Sequence, residues 1–360
     1  MRIYGITGTN GKTTTTWILD EFLGGGGYVT TVEAYTGRRR FSTGYTTPPL
    51  PALKEIFAEM EAAGCETCVM EVSSHAIHQR RTGDTVFAGG GFTNLTEDHL
   101  DYHKTMEAYF QVKADFFRRL AESTPGAPAA ICVDGEYGRR LADICRGLPL
   151  RTIECGLSVD GDLKDYIAEK CPLVGRYNVQ NVLLAAALAR GAGVPLADIV
   201  AKIPLLTPRW GRLERVATRS AADVFVDYAH TDDALANVLS TVREFTKGKV
   251  WAVFGAGGDR DRAKRPLMGA AAAANADRLV VTSDNPRSEE PMSIIGQIVA
   301  GIPTGTDVTV EPDRAKAIFH ALANAEAGDT VVVCGKGHET TQTIGDNVIH
   351  FDDRETCAQF

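Results

Sequence analysis

The chain has 360 residues, which is long enough for two domains that each bury a hydrophobic core. Hydrophobic residues make up 44% of it and charged residues 23%, as in ordinary globular proteins, and the net charge of −8 argues against nucleic acid as a main partner. No apolar run approaches the length of a membrane span and no signal peptide precedes Arg2, so we expect a cytoplasmic protein with no membrane partner.

The chain begins with a pattern of strand, glycine-rich turn and helix. Residues 2–6 predict a buried strand, residues 12–23 predict a helix, and the turn that joins them reads Gly8-Thr9-Asn10-Gly11-Lys12-Thr13-Thr14. Glycines let backbone N–H groups close on phosphate oxygens, and the helix N-terminus adds partial positive charge. Lys12 would reach the terminal phosphates, and the Thr13 hydroxyl would bind Mg²⁺. The pattern predicts a nucleoside-triphosphate site, although Ile6 stands where the usual Gly-x-x-x-x-Gly-Lys-Ser/Thr spacing has its first glycine.

Two later strands end in residues that bind metals. Glu71 closes an apolar strand, and a second strand that runs through Phe92 leads into a segment containing His99. Because the carboxyl ends of strands in an open α/β sheet are where ligands bind, both side chains are expected at the same edge as the phosphate loop. A carboxylate and an imidazole beside a triphosphate indicate a second Mg²⁺, although a structural histidine fits His99 equally well.

The eight cysteines give little evidence of a zinc site. Cys65 and Cys68 form one Cys-x-x-Cys pair, but the other cysteines lack the paired spacing that would supply two more ligands. Cys68 begins a strand-like run, so we interpret it as a buried thiol.

The last third of the chain repeats the α/β pattern. Residues 204–212 are rich in proline and low in periodicity, which indicates a connection between a domain of residues 1–208 and one of residues 209–360. Strand-like segments at 224–228, 250–254, 279–282 and 330–334 alternate with helices, which predicts a mostly parallel sheet. One strand leads into Asp284-Asn285-Pro286-Arg287, where a guanidinium group suits bidentate capture of a carboxylate.

These motifs, in this order, resemble those of the Mur ligases. The matching stretches are Gly-Thr-Asn-Gly-Lys-Thr at 8–13, Glu-Val-Ser-Ser-His at 71–75, Thr-Asn-Leu-Thr-Glu-Asp-His-Leu-Asp-Tyr-His at 93–103, and Lys113. The resemblance covers nearly the whole chain and is nearest to the MurE type, the tripeptide synthetases of peptidoglycan synthesis. It implies an α/β fold in which a central, P-loop-containing Mur ligase domain precedes a Rossmann-like C-terminal domain that binds an amino acid.

The resemblance also implies ATP, two Mg²⁺ sites and a set of site residues. Its catalytic positions are Lys12, Glu71, His99 and Lys113, and its metal positions are Thr13, Glu71, His99 and Lys113, with Lys113 carbamylated into an anion. Its ATP-binding positions in the phosphate loop are Gly8, Thr9, Asn10, Gly11, Lys12, Thr13 and Thr14. The resemblance also implies that Asn178 and Asn181 lie beside adenine, that Arg212 of the stretch Trp210-Gly211-Arg212 reaches the phosphates, and that Asp227 binds the ribose. Its substrate-binding positions are Thr46, Thr47, Ser73, Arg260, Asp284, Asn285, Arg287, Gly335 and Glu339.

Two of these residues have simpler interpretations when the resemblance is set aside. Lys113 would be a surface lysine on a helix of residues 106–120. Asn178 would cap the helix that follows it.

The implied reaction is ATP-dependent formation of an amide bond. An acceptor carboxylate would attack the γ-phosphorus of ATP, with Lys12 and Mg²⁺ neutralising charge, and the amine of an incoming amino acid would attack the acyl phosphate as the two domains close. Arg260 and Arg287 would pair with carboxylates of that amino acid and Glu339 with an ammonium group. In MurE-type enzymes the loop matching residues 284–287 accompanies selection of meso-diaminopimelate rather than lysine.

The identity of the acceptor follows less directly. MurE-type enzymes carry an N-terminal domain that holds the uridine nucleotide of their substrate, and this sequence starts at the phosphate-binding strand. We therefore expect a two-domain core whose small-molecule acceptor need not be UDP-linked, or a partner that supplies the missing UDP-binding function. Three other functions stay open: a glutamate ligase like folylpolyglutamate synthase, an amidating ligase subunit that works with a glutamine amidotransferase and often carries a four-cysteine zinc insert, and a non-catalytic nucleotide-binding module.

Overall fold

The protein divides into two compact units. The computed structural model describes residues 1–208 and 211–360, so Arg209 and Trp210 of the predicted interdomain connection lie outside the described residues. The units span Met1–Thr207 and Pro208–Phe360. Each contains a mostly parallel sheet with helices between the strands, which confirms the predicted α/β fold class.

The first unit is built on a sheet of eight strands within Met1–Thr207. Its strands are β1 (Arg2–Thr7), β2 (Tyr28–Val29), β3 (Ala34–Tyr35), β4 (Arg40–Phe41), β5 (Thr67–Glu71), β6 (Phe87–Phe92), β7 (Pro128–Cys132) and β8 (Arg151–Cys155). Its helices are α1 (Lys12–Leu23), α2 (Leu50–Ala62), α3 (Ser74–His78), α4 (Leu100–His103), α5 (Met106–Ser123), α6 (Glu136–Arg146), α7 (Gly161–Lys170), α8 (Arg176–Gly191) and α9 (Leu196–Lys202), followed by a 3₁₀ turn at Ile203–Leu205.

The order of strands places the predicted site residues at one edge of this sheet. The order is β4-β3-β2-β5-β1-β6-β7-β8, and β1 lies parallel to both β5 and β6. Ile6 pairs with Glu71, and Thr7 pairs with Phe92. The turn after β1, the carboxylate at the end of β5 and the segment after β6 therefore lie side by side, as expected for the carboxyl ends of parallel strands.

Helix α5 packs unusually close to this sheet because glycines face it. Phe116 of α5 lies over Gly5 of β1 and Gly90 of β6, and a Cβ atom added to either glycine would be 2.6 or 2.7 Å from the phenyl ring. The Thr105 hydroxyl accepts a hydrogen bond from the Ala108 N–H and fixes where the helix begins. The close approach carries Lys113, one turn before Phe116, down to the phosphate loop.

The second unit contains another sheet and a hairpin. Its strands are β9 (Glu214–Arg215), β10 (Asp223–Asp227), β11 (Val250–Phe254), β12 (Arg278–Val281), β13 (Val308–Val310), β14 (Thr330–Cys334), β15 (Thr341–Ile344) and β16 (Asn347–His350). Its helices are α10 (Asp232–Arg243), α11 (Lys264–Asn275), α12 (Pro291–Val299), α13 (Arg314–Asn324) and α14 (Asp353–Gln359).

The central strands of this second sheet are buried on both faces. Across the described residues of the unit, the sheet order is β13-β12-β11-β14-β10-β9, and only β9 runs antiparallel to its neighbour. Val331 and Val333 of β14 pack into one apolar cluster, whereas Val332 and Cys334 pack into the cluster on the opposite face. Such a strand reads as a continuous apolar run, which is why residues 330–334 predicted it correctly.

Several local predictions differ from the structure. Asn178 does not cap α8, because the helix begins at Arg176 and Gly175 is its N-cap residue. The strands predicted at 224–228 and 279–282 each lie one residue earlier, at Asp223–Asp227 and Arg278–Val281. No helix among the described residues is both long and apolar enough to cross a lipid bilayer.

Candidate active site

The turn between β1 and α1 requires glycine at two positions. Gly8 has a φ of 143° and Gly11 a φ of 84°, both in the region that favours glycine. A Cβ atom on Gly8 would overlap the Thr93 hydroxyl, and one on Gly11 would overlap the side-chain oxygen of Asn181. The two glycines therefore fix the loop conformation and also let its neighbours approach the backbone.

Residues that follow β6 brace this loop. The Asn10 N–H donates to the side-chain oxygen of Asn94 at 2.9 Å, and the Asn94 amide donates back to the Asn10 carbonyl at 3.2 Å. The Thr9 hydroxyl accepts from the Thr96 N–H at 3.1 Å and lies 3.1 Å from the Tyr109 hydroxyl. Two chain segments more than 80 residues apart thus hold the loop in shape.

Lys12 lies over the same loop. Its Nζ donates to the carbonyl oxygens of Thr9 at 2.7 Å and Gly8 at 3.2 Å, which places the ammonium group beside the loop backbone. A cation at the start of a helix, next to glycine-rich backbone, is the arrangement that binds terminal phosphates of nucleotides.

The Glu71 carboxylate accepts hydrogen bonds from both Thr13 and Thr31. The Thr13 hydroxyl donates to Glu71 Oε1 at 2.7 Å, and the backbone N–H of Thr31 donates to the same oxygen at 2.9 Å. The Thr31 hydroxyl donates to Oε2 at 3.1 Å. Thr31 is not among the predicted site residues, although its position just after the apolar strand β2 could have indicated it.

The predicted acceptor-binding residues in the first unit gather around the same carboxylate. The Thr46 hydroxyl lies 3.0 Å from the Thr31 hydroxyl, within hydrogen-bond distance. The Thr47 hydroxyl donates to the Glu71 carbonyl at 2.8 Å and accepts from the Ser73 N–H at 3.0 Å. Ser73 in turn caps α3. The structure therefore brings Thr46, Thr47 and Ser73 together with Glu71.

Lys113 is buried, which contradicts its interpretation as a surface lysine. Its side chain is enclosed by α5 and the loop, and its Nζ donates to the Gly8 carbonyl at 2.7 Å and lies 4.7 Å from the centre of the Tyr109 ring. Burial, with a smaller effect from Lys12, lowers the pKa of Lys113 well below its ordinary value. Burial therefore favours the neutral amine, which is the form that can react with CO₂ to give a carbamate.

His99 lies at the edge of a cluster of aromatic side chains. Its backbone has a φ of 55°, its N–H donates to the Asp98 carboxylate at 2.8 Å, and its ring packs edge-on against His75 with centroids 4.9 Å apart. The left-handed backbone of a non-glycine residue is a common feature of functional sites. The role of His99 as a metal ligand stays a prediction.

Asn178 and Asn181 lie in the first turns of α8, next to the phosphate loop. Asn181 accepts a hydrogen bond from the Thr15 hydroxyl at 3.3 Å and donates to the side-chain oxygen of Asn178 at the same distance. The Asn178 amide donates to the Val174 carbonyl at 2.8 Å. The two asparagines thus form one unit that touches α1 through Thr15 and the loop through Gly11.

In the second unit, two predicted substrate loops are joined to each other. The Asn285 amide donates to Glu339 Oε2 at 2.9 Å, while Asn285 Oδ1 accepts from the Thr343 N–H at 2.9 Å and from Lys336 Nζ at 3.3 Å. Lys336, which is not among the predicted substrate-binding positions, is fully buried between these side chains. Gly335 has a φ of 117° and lies against the Asp284 carboxylate.

The two predicted carboxylate-binding arginines lie beside Gly257. Arg287 has a left-handed backbone with a φ of 51°, and its guanidinium donates to the Gly258 carbonyl at 2.7 Å. A Cβ atom on Gly257 would be 3.0 Å from the guanidinium of Arg287 and 3.5 Å from the side chain of Arg260. The structure therefore gathers Arg260 and Arg287 next to the loop that carries Asn285.

Asp227 and Arg212 lie close together within the second unit. The Asp227 carboxylate accepts from the backbone N–H of Leu213 at 2.6 Å and of Ala229 at 2.8 Å, and burial raises its pKa. The Arg212 guanidinium lies over the Tyr228 ring at 4.6 Å. Asp227 therefore fixes the turn after Arg212, and a contact with ribose stays a prediction.

His338, in the loop of residues 335–339 with its ring against that of Tyr228, gives a pH-dependent prediction. Burial, followed by the charge of Arg212, lowers the pKa of His338 to about 3. Below pH 6.5 the unfolded histidine takes up a proton that the folded one refuses, so wild-type stability falls as the pH drops toward 3. From this cause the free energy of unfolding of the wild type should fall by up to about 1.4 kcal/mol per pH unit, and we expect His338→Gln to abolish that part of the fall. Chemical denaturation of both proteins at pH 7.0, 5.5 and 4.5 measures these free energies of unfolding. The same pH dependence in the wild type and the variant would contradict the prediction.

The polar groups near the phosphate loop fit a magnesium ion. Thr13 and Glu71 are buried, their oxygens are 2.7 Å apart, and hydroxyl and carboxylate oxygens are ligands that Mg²⁺ prefers. In the described parts of the chain no group of three or more His, Cys, Asp or Glu side chains is arranged to hold a metal ion. The predicted magnesium ligands include only two side chains of those types, and the zinc insert of an amidating subunit has no counterpart among the described residues.

Comparison with known proteins identifies the family of both units. A model of the Mur ligase middle domain matches residues 6–189, and a model of the Mur ligase glutamate ligase domain matches residues 211–337. A UDP-N-acetylmuramoyl-L-alanyl-D-glutamate–2,6-diaminopimelate ligase of Synechococcus sp. is 44% identical over all of this chain and 77% of its own length. A ligase of the same name from Bacillus cereus is 39% identical over all of this chain and 78% of its own length.

Solved structures show the same fold. A structure named for the same diaminopimelate ligase superimposes with a TM-score of 0.61 at 32% identity, covering 99% of this chain and 77% of its own. A Mycobacterium tuberculosis folylpolyglutamate synthase gives a TM-score of 0.69 at 20% identity over 93% of this chain and 88% of its own, which shows a shared fold and no more. The interpretation as a folylpolyglutamate synthase is therefore the weaker one. The chain belongs to the Mur ligase family of ATP-dependent peptide ligases.

Proposed function

We propose that this enzyme adds 2,6-diaminopimelate, in its meso form, to the carboxylate of a muropeptide acceptor. The observation that carries the proposal is the pair of joined loops in the second unit. They present an amide at Asn285, a carboxylate at Glu339 and a guanidinium group at Arg287, and Arg260 of a third loop lies beside the same glycine, Gly257, as Arg287. An amino acid with two carboxylates and two ammonium groups matches this set of charges better than a monoacid does.

The first unit supplies the groups for activating the acceptor. Lys12 would bind the terminal phosphates of ATP, and Gly8, Thr9, Asn10, Gly11, Thr13 and Thr14 would surround them with backbone and hydroxyl donors. Thr13, Glu71, His99 and Lys113 would hold two magnesium ions, which would neutralise charge on the phosphates. Thr46, Thr47 and Ser73 would bind the acceptor next to Glu71.

The bond changes in the proposed reaction are those of an ADP-forming ligase. An acceptor carboxylate oxygen bonds to the γ-phosphorus and ADP leaves, which gives an acyl phosphate. The amine of diaminopimelate then attacks the acyl carbon, phosphate leaves, and the amine loses a proton as the amide forms. Asn178, Asn181, Arg212 and Asp227 would hold the nucleotide, and we propose that the two units, with a boundary near residue 208, are the functional domains.

The experiment that tests this function is phosphate release with ATP and Mg²⁺. We expect turnover with meso-diaminopimelate and not with lysine or glutamate. The acceptors to compare are the UDP-linked muramoyl dipeptide and the free dipeptide. Turnover of the UDP form alone would place nucleotide recognition within this protein's acceptor site, and equal turnover of the free dipeptide would show that the nucleotide is dispensable. Turnover with a folate and glutamate would overturn the proposal.

Arg287→Met tests the amino-acid pocket. Losing a charged, hydrogen-bonded partner of a carboxylate costs about 1.5–3 kcal/mol, so the KM for diaminopimelate is expected to rise about 10- to 100-fold with the KM for ATP unchanged. Arg278→Met is a matched control, since Arg278 pairs with Asp307 at the amino end of β12. An unchanged KM in Arg287→Met would exclude a direct contact with the amino acid.

A further inference from the structure

A buried ion pair lies directly behind the two substrate loops of the second unit. Arg314 is the first residue of α13 and Asp353 is the first residue of α14, and neither side chain is exposed to solvent. Arg314 Nε donates to Asp353 Oδ1 at 2.8 Å, and Nη2 donates to Oδ2 at 2.7 Å. This is the bidentate geometry in which arginine and a carboxylate hold each other most rigidly.

The same guanidinium reaches Cys334, the last residue of β14, and Ser283, two residues beyond the end of β12. Arg314 Nη1 donates to the Ser283 carbonyl at 3.1 Å, and Nη2 donates to the Cys334 carbonyl at 2.9 Å. Ser283 immediately precedes Asp284 of the first substrate loop, and Cys334 immediately precedes Gly335 of the second. The two strands are not neighbours in the sheet, because β11 lies between β12 and β14. One planar group therefore spans the points where both loops leave the sheet.

Stability alone does not explain a charged pair at this place. Replacing a buried ion pair by apolar side chains of similar size is often neutral or stabilising, because removing two charges from water is costly. The pair does fix the distance between the carbonyls of Ser283 and Cys334, because a planar guanidinium with four acceptors cannot shift without breaking at least one hydrogen bond. A pocket whose groups are already held in place binds its ligand more tightly, because less conformational freedom is lost on binding.

We propose that Arg314 and Asp353 are positioning residues that set the spacing between the loops at 284–287 and 335–339, and thereby the affinity for the incoming amino acid. The proposal rests on the function proposed above, in which these loops bind diaminopimelate. Arg314 and Asp353 act through Asp284, Asn285, Gly335 and Glu339.

Three single variants separate positioning from folding. In Arg314→Lys and Asp353→Asn, the KM for diaminopimelate is expected to rise at least about 10-fold, with kcat and the KM for ATP changed less than about threefold. Asp329→Asn is the matched control, because Asp329 is also buried but accepts from the N–H groups of Lys249 and Trp251 at the amino end of β14. It should lower the Tm and leave the KM unchanged. A KM for diaminopimelate that stays at the wild-type value in Arg314→Lys and Asp353→Asn would overturn the proposal.

The double variant Arg314→Met/Asp353→Leu is the sharper test. Each single variant leaves a buried group without its charged partner, which lowers the Tm, whereas the double variant removes both charges together. Its Tm is therefore expected to lie nearer to that of the wild type. The two carbonyl contacts are still missing, so the raised KM should persist. A KM that recovers together with the Tm would show that the pair only stabilises the fold.

Hydrogen exchange of the enzyme without substrates makes the test independent of the substrate's identity. Arg314→Lys is expected to speed exchange of the backbone amides in 284–289 and 335–345, whereas Asp329→Asn is not. Faster exchange in these loops without turnover of diaminopimelate by the wild type would refute the proposed substrate and keep the positioning role. Unchanged exchange would overturn the positioning role, whichever amino acid is used.

Discussion

Lys113→Met is expected to lower the rate of phosphate release at least about 1,000-fold without lowering the Tm, as befits a group whose role is transition-state charge stabilisation. The Tm should not fall because a lysine side chain is costly to bury at this position. Its amine is buried, its pKa is lowered by that burial, and the Gly8 carbonyl is its hydrogen-bond acceptor. Methionine keeps most of the volume and removes the cost of burying a polar nitrogen.

A second measurement separates a carbamate from a simple amine. A neutral amine adds CO₂ at its nitrogen and loses a proton, so wild-type activity should fall in CO₂-depleted buffer and return with bicarbonate, whereas Lys113→Met should not respond. Lys202→Met is the matched control, because Lys202 also donates to backbone carbonyls, those of Glu21 and Phe22. Full activity in Lys113→Met would refute the role implied by the resemblance.

Glu71→Gln is expected to reduce phosphate release by about 100- to 1,000-fold, as losing one electrostatic contact to the reacting groups commonly does. The substitution preserves shape but replaces an oxygen that accepts from Thr13 and Thr31 with an NH₂ group, and it removes the charge that would bind magnesium. The Mg²⁺ concentration that gives half-maximal rate should therefore rise at least about 10-fold.

The matched control for that variant is Glu33→Gln. Glu33 is also a carboxylate of the first unit, but it accepts from the hydroxyl of Tyr28 and pairs with Arg40. Its Mg²⁺ dependence should match that of the wild type. If Glu71→Gln also keeps the wild-type Mg²⁺ dependence, Glu71 only orders Thr13 and Thr31.

The elements that could be predicted from the sequence are those with strong local signals. The helix at Lys12–Leu23 and the strands at Val250–Phe254 and Thr330–Cys334 match the predicted bounds because glycine-rich turns or continuous apolar runs mark them. Asn178 shows the limit of such signals. Its side chain could cap a helix, but the chain turns at Gly175, and Asn178 faces Asn181 instead.

The parts of the site that could not be predicted depend on contacts between distant segments. Lys113 lies in an amphipathic helix where a lysine usually faces solvent, and only the glycines opposite Phe116 bring it down to the loop. Arg314 acts through the backbone carbonyls of Ser283 and Cys334, and such contacts leave no motif in the sequence. Asp227 could be placed at a strand end, but the backbone groups that it accepts from could not.

The braces of the phosphate loop have a consequence for synthesis of the protein. The loop at residues 8–13 leaves the ribosome before the segments that shape it, which supply Glu71, Asn94, Lys113 and Asn181. These are long-range contacts, which form late because closing long loops costs chain entropy. A nascent chain must therefore have emerged from the exit tunnel as far as Asn181 before this loop can hold a nucleotide, and ATP cannot guide the earlier folding of the first unit.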